Sequence, residues 1–423
     1  MKVLVKKALI YCENSPYNQQ TADVLFDKGI VQKIGELDDD AKYVISGKKL
    51  ILSDGFFDMR SHSKEPGNEH MDELQNLADA AVAGGFTEIM VMPNTHPIIQ
   101  DKSSVNFFKN FSQNQLADVH VAAAITKNCE GQDFTEMWDL HHAGALAFTD
   151  GIKSIWNSDI LLKTLQYLYP KKSLLINRPE DGPLAMFGQM HEGIVSTQLG
   201  LKGIPSEAEE IMVMRDLKLL EYSGLNSSTP LLHFSCISTA AAVKHIKNAK
   251  DKGLPVSCDV AAHQLVFIDE DLRGFDSNLK VSPPFRSKKD IKALLKGLED
   301  GTIDAIVSDH HPWDEEHKNL EFDLAEPGIL GLQTVLSVLL TYTDMELSLI
   351  LTKLTTNPRK ILKKSNPVFE LHKNANVTIF DAEEKYTFKE SQILSKSKNT
   401  PFVNKDLKGK IKLTIHKGQT RLF

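Results

Sequence analysis

The sequence predicts an α/β protein: a (β/α)8 TIM-type barrel with a small β-sandwich domain formed by both termini. Short apolar runs alternate with helix-like stretches eight times along the chain, which is the pattern of a parallel barrel. Polar residues follow these runs at their carboxyl ends, where barrel active sites are built. Because β-rich segments flank the repeats, we expect a barrel over 51–366 and a composite small domain from 1–50 and 367–423.

Composition narrows the functional class. A chain of 423 residues is long for a single core, and its 41% hydrophobic and 25% charged residues are ordinary for a globular protein. The net charge of -7 argues against a nucleic-acid partner or a membrane-surface role. The N-terminal apolar run is too short and interrupted for a signal peptide or a membrane span. The four cysteines form no CxxC pair, so we expect free thiols in a reducing cytoplasm.

The terminal segments carry the strands of the small domain. VLFDKGIVQKIGE reads as a hairpin around Gly29. At the other end, 376-NVTIFDAEEKYTF-388 and 410-KIKLTIHKGQT-420 have the same strand-like character. The two ends are therefore expected to pair with each other.

The barrel strands are predicted from β-branched or apolar runs that end in polar residues. In chain order they are 50–62, 86–95, 118–128, 144–151, 173–181, 230–238, 254–264 and 303–312. A doubly wound open sheet is the alternative, but no GxGxxG loop follows the first of these runs. The pattern therefore favours the barrel.

The connecting helices have recognisable ends. In 206–224, Ser206 and Glu209 are predicted to form a capping box, and Gly224 can end the helix. Similar helices are expected over 288–300, before the last barrel strand, and from about 329, after it.

The stretch 54-DGFFDMRSHSKEPGNEH-70 runs from an apolar strand into a loop rich in ionisable groups. A strand that ends in His-x-His makes a ready metal clamp, because alternate residues point to the same side. This spacing holds Arg60 and His62 here, and a permanently cationic arginine repels metal ions. The stretch therefore has the layout of a metal site without its first ligand.

Seven motifs spread over nearly the whole chain carry a family resemblance. They are 64-KEPGNEH-70, 92-MPNTHP-97, 203-GIPSEAEEIMVMRD-216, 281-VSPPFRSKKD-290, 301-GTIDAIVSDHHP-312, 326-EPGILGLQT-334 and 396-KSKNTPF-402. Together they resemble the dihydroorotases of the cyclic amidohydrolase superfamily, which also includes hydantoinases and allantoinases. The resemblance implies a metal-dependent barrel with a small β domain made from both termini.

The resemblance also implies a chemistry. Members of the superfamily open or close cyclic amides, and dihydroorotases interconvert carbamoyl-aspartate and dihydroorotate in pyrimidine synthesis. One or two zinc ions lower the pKa of bound water and polarise the carbonyl. An aspartate after the last strand takes and returns the proton.

The metal-binding positions that the resemblance implies can be assigned motif by motif, and several of them hold altered residues here. They fall on Arg60, His62, Asp150, Arg178, Cys236 and Asp309. Three of the four histidines that the resemblance implies are therefore replaced, two of them by arginine. Asp309 stands at the proton-shuttle position, and we expect that it does not perform this role.

The substrate-binding positions implied by the resemblance fall on Lys64, Asn94, Ser282 and Trp313. Only Asn94 keeps the residue of the family. Lys64 replaces an arginine that forks onto the substrate carboxylate, and an amine cannot make that bidentate pair. Ser282 replaces an asparagine and Trp313 a histidine, so the pocket is altered along with the metal site.

These changes predict a site without a metal cofactor. Arg60 and Arg178 are expected to face Asp150 and Asp309, a set that is neutral by itself. A zinc ion beside two fixed positive charges would cost several kcal/mol at an effective dielectric constant of roughly 20. The hypothesis is that the arginines replace the metals as structural counter-charges.

An alternative keeps a single zinc ion. Its ligands would be His62, Cys236 and Asp309, which are all residue types that bind zinc. His263, His310 and His311 could also be recruited to a rearranged site.

Three functional hypotheses follow. The first is a pseudoenzyme: a dihydroorotase homologue, catalytically impaired or inactive, that acts as a structural or regulatory partner in pyrimidine biosynthesis. Its expected associations are aspartate transcarbamoylase, inferred from family habit, or self-association. The second is an active dihydroorotase or related cyclic amidohydrolase with a minimal metal site. The third is a sensor that binds a small carboxylate through Lys64, Asn94 and the arginines.

Overall fold

The structure is a computed structural model that describes all 423 residues, and its strands form two eight-stranded sheets and a two-stranded ribbon. The strands are β1 Lys2–Tyr11, β2 Thr21–Asp27, β3 Ile30–Gly35, β4 Tyr43–Ile45, β5 Leu50–Asp54, β6 Phe56–Ser61, β7 Phe86–Val91, β8 Asp118–Ala123, β9 Ala147–Phe148, β10 Leu174–Asn177, β11 Met190–His191, β12 Gly203–Ile204, β13 Leu232–Phe234, β14 Val256–Ala261, β15 Ala305–Val307, β16 Val377–Thr387, β17 Asp406–His416 and β18 Gln419–Leu422.

The helices fill the connections between the barrel strands and follow the last of them. They are α1 Leu74–Ala83, α2 Lys102–Ser112, α3 Met137–Ala143, α4 Ser158–Leu168, α5 Gly182–Ala185, α6 Ile194–Leu199, α7 Glu207–Ser223, α8 Ala240–Asp251, α9 Lys288–Glu299, α10 Glu315–Lys318, α11 Val335–Tyr342, α12 Leu347–Leu354 and α13 Thr356–Ile361. None of them is both long and apolar enough to cross a bilayer.

The predicted parallel barrel is present. Its strands run in the order β6-β7-β8-β9-β10-β13-β14-β15, each parallel to the next. The ends of this sheet meet where Ser61 bridges to His310 and the His62 backbone N–H donates to the His310 carbonyl at 2.8 Å. Met59, Met90 and other apolar side chains form a buried core cluster between these strands, as expected for a packed barrel.

The termini form the second sheet, as predicted. Its order is β18-β17-β16-β5-β1-β2-β3, with β4 beside β1. The β2–β3 hairpin turns at Gly29, whose φ of +74° is a conformation that glycine adopts without strain. The C-terminal strands join through β16, which runs antiparallel to β5.

The predicted strand 50–62 is divided between the two sheets. Its first half is β5, in the terminal sheet, and its second half is β6, the first barrel strand. Gly55 separates them, and a Cβ there would lie 2.2 Å from Thr87 Oγ1. Every residue of both halves is buried, so hydrophobicity alone could not show where one sheet ends and the next begins.

The predicted capping box at the start of α7 is not formed. Ser206 makes no side-chain cap, although Gly224 ends the helix in the left-handed region as expected. Glu209 instead accepts hydrogen bonds from Ser238 N at 3.0 Å, Thr239 N at 2.9 Å and both of their hydroxyls. A long-range loop therefore outcompetes the local cap and ties α7 to the segment after β13.

Replacing Glu209 with glutamine is expected to lower the free energy of unfolding by about 2 kcal/mol. The amide removes the charge and turns an NH2 group toward donors, and hydrogen bonds to charged groups contribute about 1.5–3 kcal/mol each. Urea denaturation followed by circular dichroism measures the change. Glu207→Gln, exposed and in the same helical turn, is the control. Equal stability of the two variants would contradict the assignment.

Candidate functional site

The candidate site lies at the carboxyl ends of the barrel strands. Arg60 lies at the end of β6, His62 directly follows that strand, Arg178 follows β10, and Asp309 follows β15. All four side chains are buried. The barrel therefore brings together residues that the sequence separates by up to 249 positions.

Arg60 forms an ion pair with Asp309 at the barrel mouth. Arg60 Nε donates to Asp309 Oδ1 at 2.8 Å, and the arginine side chain is only 2% exposed. Burial raises the pKa of Asp309, but the Arg60 guanidinium and the neighbouring His62 together outweigh it and hold the pKa well below the usual range. Asp309 has a φ of +45°, a strained backbone that often marks functional positions. His62 Nε2 also lies 3.6 Å from Asp309 Oδ1, so the carboxylate faces both side chains.

His62, His311 and Trp313 form a stack beside this pair. The rings of His62 and His311 lie 4.2 Å apart, and those of His311 and Trp313 lie 5.1 Å apart. Lys64 places its amine 3.2 Å from the centre of the Trp313 ring, and burial lowers its pKa to about 8. Trp313 is fixed by its Nε1–H, which donates to the Pro327 carbonyl at 3.0 Å. Two predicted substrate positions therefore contact each other.

Asp150 is held by the backbone rather than by an arginine. It accepts hydrogen bonds from the backbone N–H groups of Ile125 and Thr126, both at 3.0 Å, and from Thr126 Oγ1 at 2.5 Å. Asn94 lies close by: its Nδ2 donates to the Asp150 carbonyl at 3.1 Å, and its Oδ1 accepts from Ile152 N at 2.9 Å. Asn94 thus shapes the loop after β9.

The two Arg–Asp pairs expected from the sequence are not both present. Arg178 donates to Glu180 Oε2 at 3.0 Å, to the Ile152 carbonyl at 2.9 Å and to the Ser282 hydroxyl. Arg178 makes no hydrogen bond or ion pair with Asp150, because Glu180, two residues along the chain, supplies its counter-charge. Arg178 Nε is buried without a partner.

Cys236 does not assemble a metal site with its predicted partners. It has a φ of +57°, and its backbone N–H donates to Asp259 Oδ1 at 2.6 Å. Burial raises the pKa of its thiol well above the usual value. The possible ligand atoms of His62, Cys236 and Asp309 do not converge within 4.8 Å of one another. The alternative single-zinc site is therefore not preformed.

The other histidines near the mouth are buried and neutral. Burial lowers the pKa of His263 to about 4 and that of His310 to about 3. His310 Nδ1 accepts hydrogen bonds from the backbone N–H groups of Gly331 and Leu332. The Nε2 atoms of His62, His263 and His310 have no hydrogen-bond partner.

Sequence reasoning missed several residues that position the site. Asp58 accepts from Ser308 N and Ser308 Oγ, both at 2.7 Å, which fastens the first barrel strand to the last. Asn399 accepts from Trp313 N at 3.1 Å and donates to the His311 carbonyl at 2.9 Å. The motif 396-KSKNTPF-402 was the available signal for Asn399, while Asp58 has no local signal because its partner lies 250 residues away.

The zinc centre implied by the resemblance does not fit these side chains. The Arg60 guanidinium stands at the position that the resemblance assigns to the first histidine, and its Nε–H donates a hydrogen bond to Asp309. Zinc binds thiolates, neutral imidazoles and carboxylates. A guanidinium such as that of Arg178 is none of these, and the raised pKa of the Cys236 thiol opposes formation of a thiolate.

Elsewhere in the fold, one trio of possible metal ligands does converge. Glu88, Asp118 and His120 lie on β7 and β8. Their carboxylates are already paired with cations, Glu88 with Lys364 at 2.9 Å and Asp118 with Lys417 at 2.6 Å. This trio therefore belongs to an ion-pair network.

Sequence comparison identifies relatives over the whole chain. The family described as Dihydro-orotase-like matches residues 48–240. A dihydroorotase from Syntrophus aciditrophicus is 36% identical, with 99% of each chain covered. A dihydroorotase from Citrifermentans bemidjiense is also 36% identical, with 94% of each chain covered.

Structural comparison finds the same architecture in more distant proteins. L-hydantoinase from Arthrobacter aurescens superposes with a TM-score of 0.80 at 21% identity, covering 100% of this chain and 97% of that one. D-hydantoinase from a Thermus species superposes with a TM-score of 0.77 at 17% identity, covering 99% and 95%. At these identities the likeness establishes the fold.

Proposed function

Because this chain belongs to the dihydroorotase family of cyclic amidohydrolases, we propose that it is a member in which an internal ion pair has replaced the catalytic metal centre. In this role it is a catalytically inactive barrel that acts as a structural or regulatory partner in pyrimidine biosynthesis. Its four cysteines are unpaired, in keeping with a reducing cytoplasm.

The observation that carries the proposal is the Arg60–Asp309 pair. The guanidinium is buried, its charge is permanent, and Asp309 is the residue that the family chemistry needs for proton transfer. At an effective dielectric constant of about 20, two unit charges 4 Å apart interact by about 4 kcal/mol. A divalent ion beside Arg60 would meet roughly twice that repulsion, so the arginine opposes metal binding directly.

The substrate side of the pocket supports the same conclusion. Lys64 lies on the Trp313 ring, and Ser282 accepts a hydrogen bond from Arg178. These residues stand at substrate-binding positions of the family, yet they bond to one another. A bound cyclic amide would have to displace contacts that the fold has already made.

A second candidate function is an active cyclic amidohydrolase with a relocated metal site. The unpartnered Nε2 atoms of His263 and His310 favour it, because neutral imidazoles without hydrogen bonds are available as ligands. A third candidate is a small-carboxylate sensor, favoured by the buried, unpartnered Nε of Arg178. Neither candidate accounts for the arginine at position 60.

Metal content of the purified, unchelated protein tests the proposal. We expect far less than one zinc ion per chain and no hydrolysis of dihydroorotate when zinc is added. The Syntrophus aciditrophicus dihydroorotase, purified in the same way, is the positive control. About one or more ions per chain, or turnover above the uncatalysed rate, would establish the second candidate instead.

Restoring the missing histidines provides a gain-of-function test. The triple variant Arg60→His, Arg178→His, Cys236→His removes two cations and supplies three imidazoles, so it is expected to bind zinc where the parent protein does not. Equilibrium dialysis measures the bound metal. Each single variant is a control, because one histidine cannot complete the site while a guanidinium remains. A triple variant that folds and binds no zinc would contradict the assignment of these positions.

The partner role is tested separately by co-purification. A tagged form of the chain is expected to retain aspartate transcarbamoylase from the same cells, or to self-associate. Purification as a monomer without the transcarbamoylase would contradict the structural role and leave the sensor as the better explanation.

A further inference from the structure

A polar cavity of about 620 Å³ lies between the small domain and the barrel, at the end opposite the candidate site. The turn after β1 contributes Glu13 and Gln19 to its wall, and the helices α12 and α13 contribute Thr352 and Lys360. Asp54 also lines it, directly before the first barrel strand. The cavity is therefore separated from Arg60 by the length of β6.

Two buried acceptors in this cavity have no donor. Asp54 is 3% exposed, and its Oδ1 has no hydrogen-bond partner; the same holds for Asn366 Oδ1. Arg359, a permanent cation whose charge acts on Asp54, directs its N–H groups elsewhere, to Glu88 and to the Gly55 and Thr355 carbonyls. Asp54 accepts hydrogen bonds from the Cys12 thiol and from the Glu13 backbone N–H, but its Oδ1 atom is left without a donor, which is costly for a buried carboxylate.

The hydroxyl groups around the cavity do not supply the missing hydrogen bonds. Thr352 and Thr355 donate to the carbonyls of Ser348 and Leu351 within their own helix. Thr356 donates to Glu13 at 2.7 Å. These three hydroxyl groups are thus used elsewhere while the two acceptor atoms remain free, so a complementary ligand carries N–H groups.

A primary ammonium group matches the unpartnered acceptor atoms of Asp54 and Asn366 better than a metal ion does. It offers three N–H donors and a positive charge. No three acidic, histidine or cysteine ligand atoms converge at Asp54, so an ion cage is absent from this cavity. Lys360, at the exposed rim, makes no ion pair or hydrogen bond and can receive an acidic group at the other end of the ligand.

We propose that this cavity binds a small zwitterionic amine of the amino-acid class, with its ammonium group on Asp54 and Asn366 and its carboxylate toward Lys360. The site lies at the junction of the two domains. An occupant there contacts strands β1 and β5 of the small domain and helices α12 and α13 of the barrel. It is independent of the metal content and activity of the barrel mouth.

Isothermal titration calorimetry of the full-length protein against each of the twenty protein amino acids tests this proposal. We expect at least one to bind with one site per chain, methylammonium to bind more weakly, and acetate not to bind. Absence of heat with every amino acid at millimolar concentration would overturn it.

Three variants locate the binding. Asp54→Asn keeps the size of the side chain and removes its charge, so it is expected to weaken binding at least tenfold. Asn366→Ala, which is half-buried and outside the core, is expected to weaken it severalfold and serves if Asp54→Asn does not fold. Lys360→Ala is expected to weaken amino-acid binding and to leave methylammonium binding unchanged, whereas Lys289→Ala, an exposed lysine outside the cavity, changes neither. Unchanged affinity in both Asp54→Asn and Asn366→Ala would place the binding elsewhere.

Discussion

Replacing Asp309 with asparagine is expected to lower the free energy of unfolding by about 3 kcal/mol or more. The substitution leaves the Arg60 guanidinium buried without a counter-charge, and breaking one partner of a buried ion pair costs about 3–5 kcal/mol. Asparagine tolerates the left-handed backbone that Asp309 adopts, so the change isolates the charge from the backbone strain. Urea denaturation followed by circular dichroism measures the difference.

Two comparisons make this result specific. Asp159→Asn breaks an exposed pair with Lys163 and is expected to change stability by an amount near experimental error. The double variant Arg60→Met, Asp309→Asn removes both charges and is expected to be more stable than Asp309→Asn alone. If Asp309→Asn matched the parent protein, Arg60 would have to reach solvent, and the proposed replacement of the metal centre would fail with it.

The same pair predicts a pH dependence. Despite burial, Arg60 and then His62 hold the pKa of Asp309 below its unfolded value of about 3.9. A carboxyl group with a lowered folded pKa contributes stability that is present above the unfolded pKa and lost as the pH falls through the folded one. The stability difference between the parent and Asp309→Asn is therefore expected to be constant near neutral pH and to shrink below about pH 4. A difference independent of pH in the acid range would argue against the ion pair.

Replacing Glu88 with glutamine is expected to destabilise the protein by about 3–5 kcal/mol. Glu88 is buried and accepts from three cationic or titratable groups: Arg359 at 3.0 Å, Lys364 at 2.9 Å and His120 at 3.1 Å. Arg359 is fully buried and also donates to the Gly55 carbonyl, the residue between the two sheets. Loss of the carboxylate leaves that guanidinium uncompensated at the domain junction.

Glu384→Gln is the matched control for Glu88→Gln. Glu384 also has two lysine partners, Lys410 and Lys412, but it lies on the partly exposed β16–β17 surface. Exposed pairs contribute about 0–1 kcal/mol because water screens them. Thermal unfolding of the two variants compares burial directly, and similar losses would show that burial is not the deciding factor.

The positions of the candidate site were predictable because barrel geometry is encoded locally. The eight strand-like runs, each ending in polar residues, already place Arg60, Asp150, Arg178 and Asp309 at one face of a barrel. The resemblance implies that guanidinium groups stand at two positions where the family has imidazoles. Neither inference needs a long-range contact.

The partners of these residues were not predictable in the same way. Arg178 lies within reach of Glu180, Ser282 and the loop after β9. Only the packed structure shows that it donates hydrogen bonds to these groups rather than to Asp150. Glu209 gave a local capping signal, yet its carboxylate bonds to a loop some 30 residues away. Local propensity fixes which groups are available, but it cannot rank acceptors that the fold brings equally near.

The sequence by itself determined the barrel, the terminal β domain and the family resemblance, because periodicity and residue identity are properties of the chain. Only the tertiary structure decided that 50–62 spans two sheets, that Arg60 but not Arg178 pairs with Asp309, and that Asp54 Oδ1 lies without a donor between the domains. The physical reason is that burial and hydrogen bonding depend on distances between residues far apart in sequence, which exist only after the chain has folded.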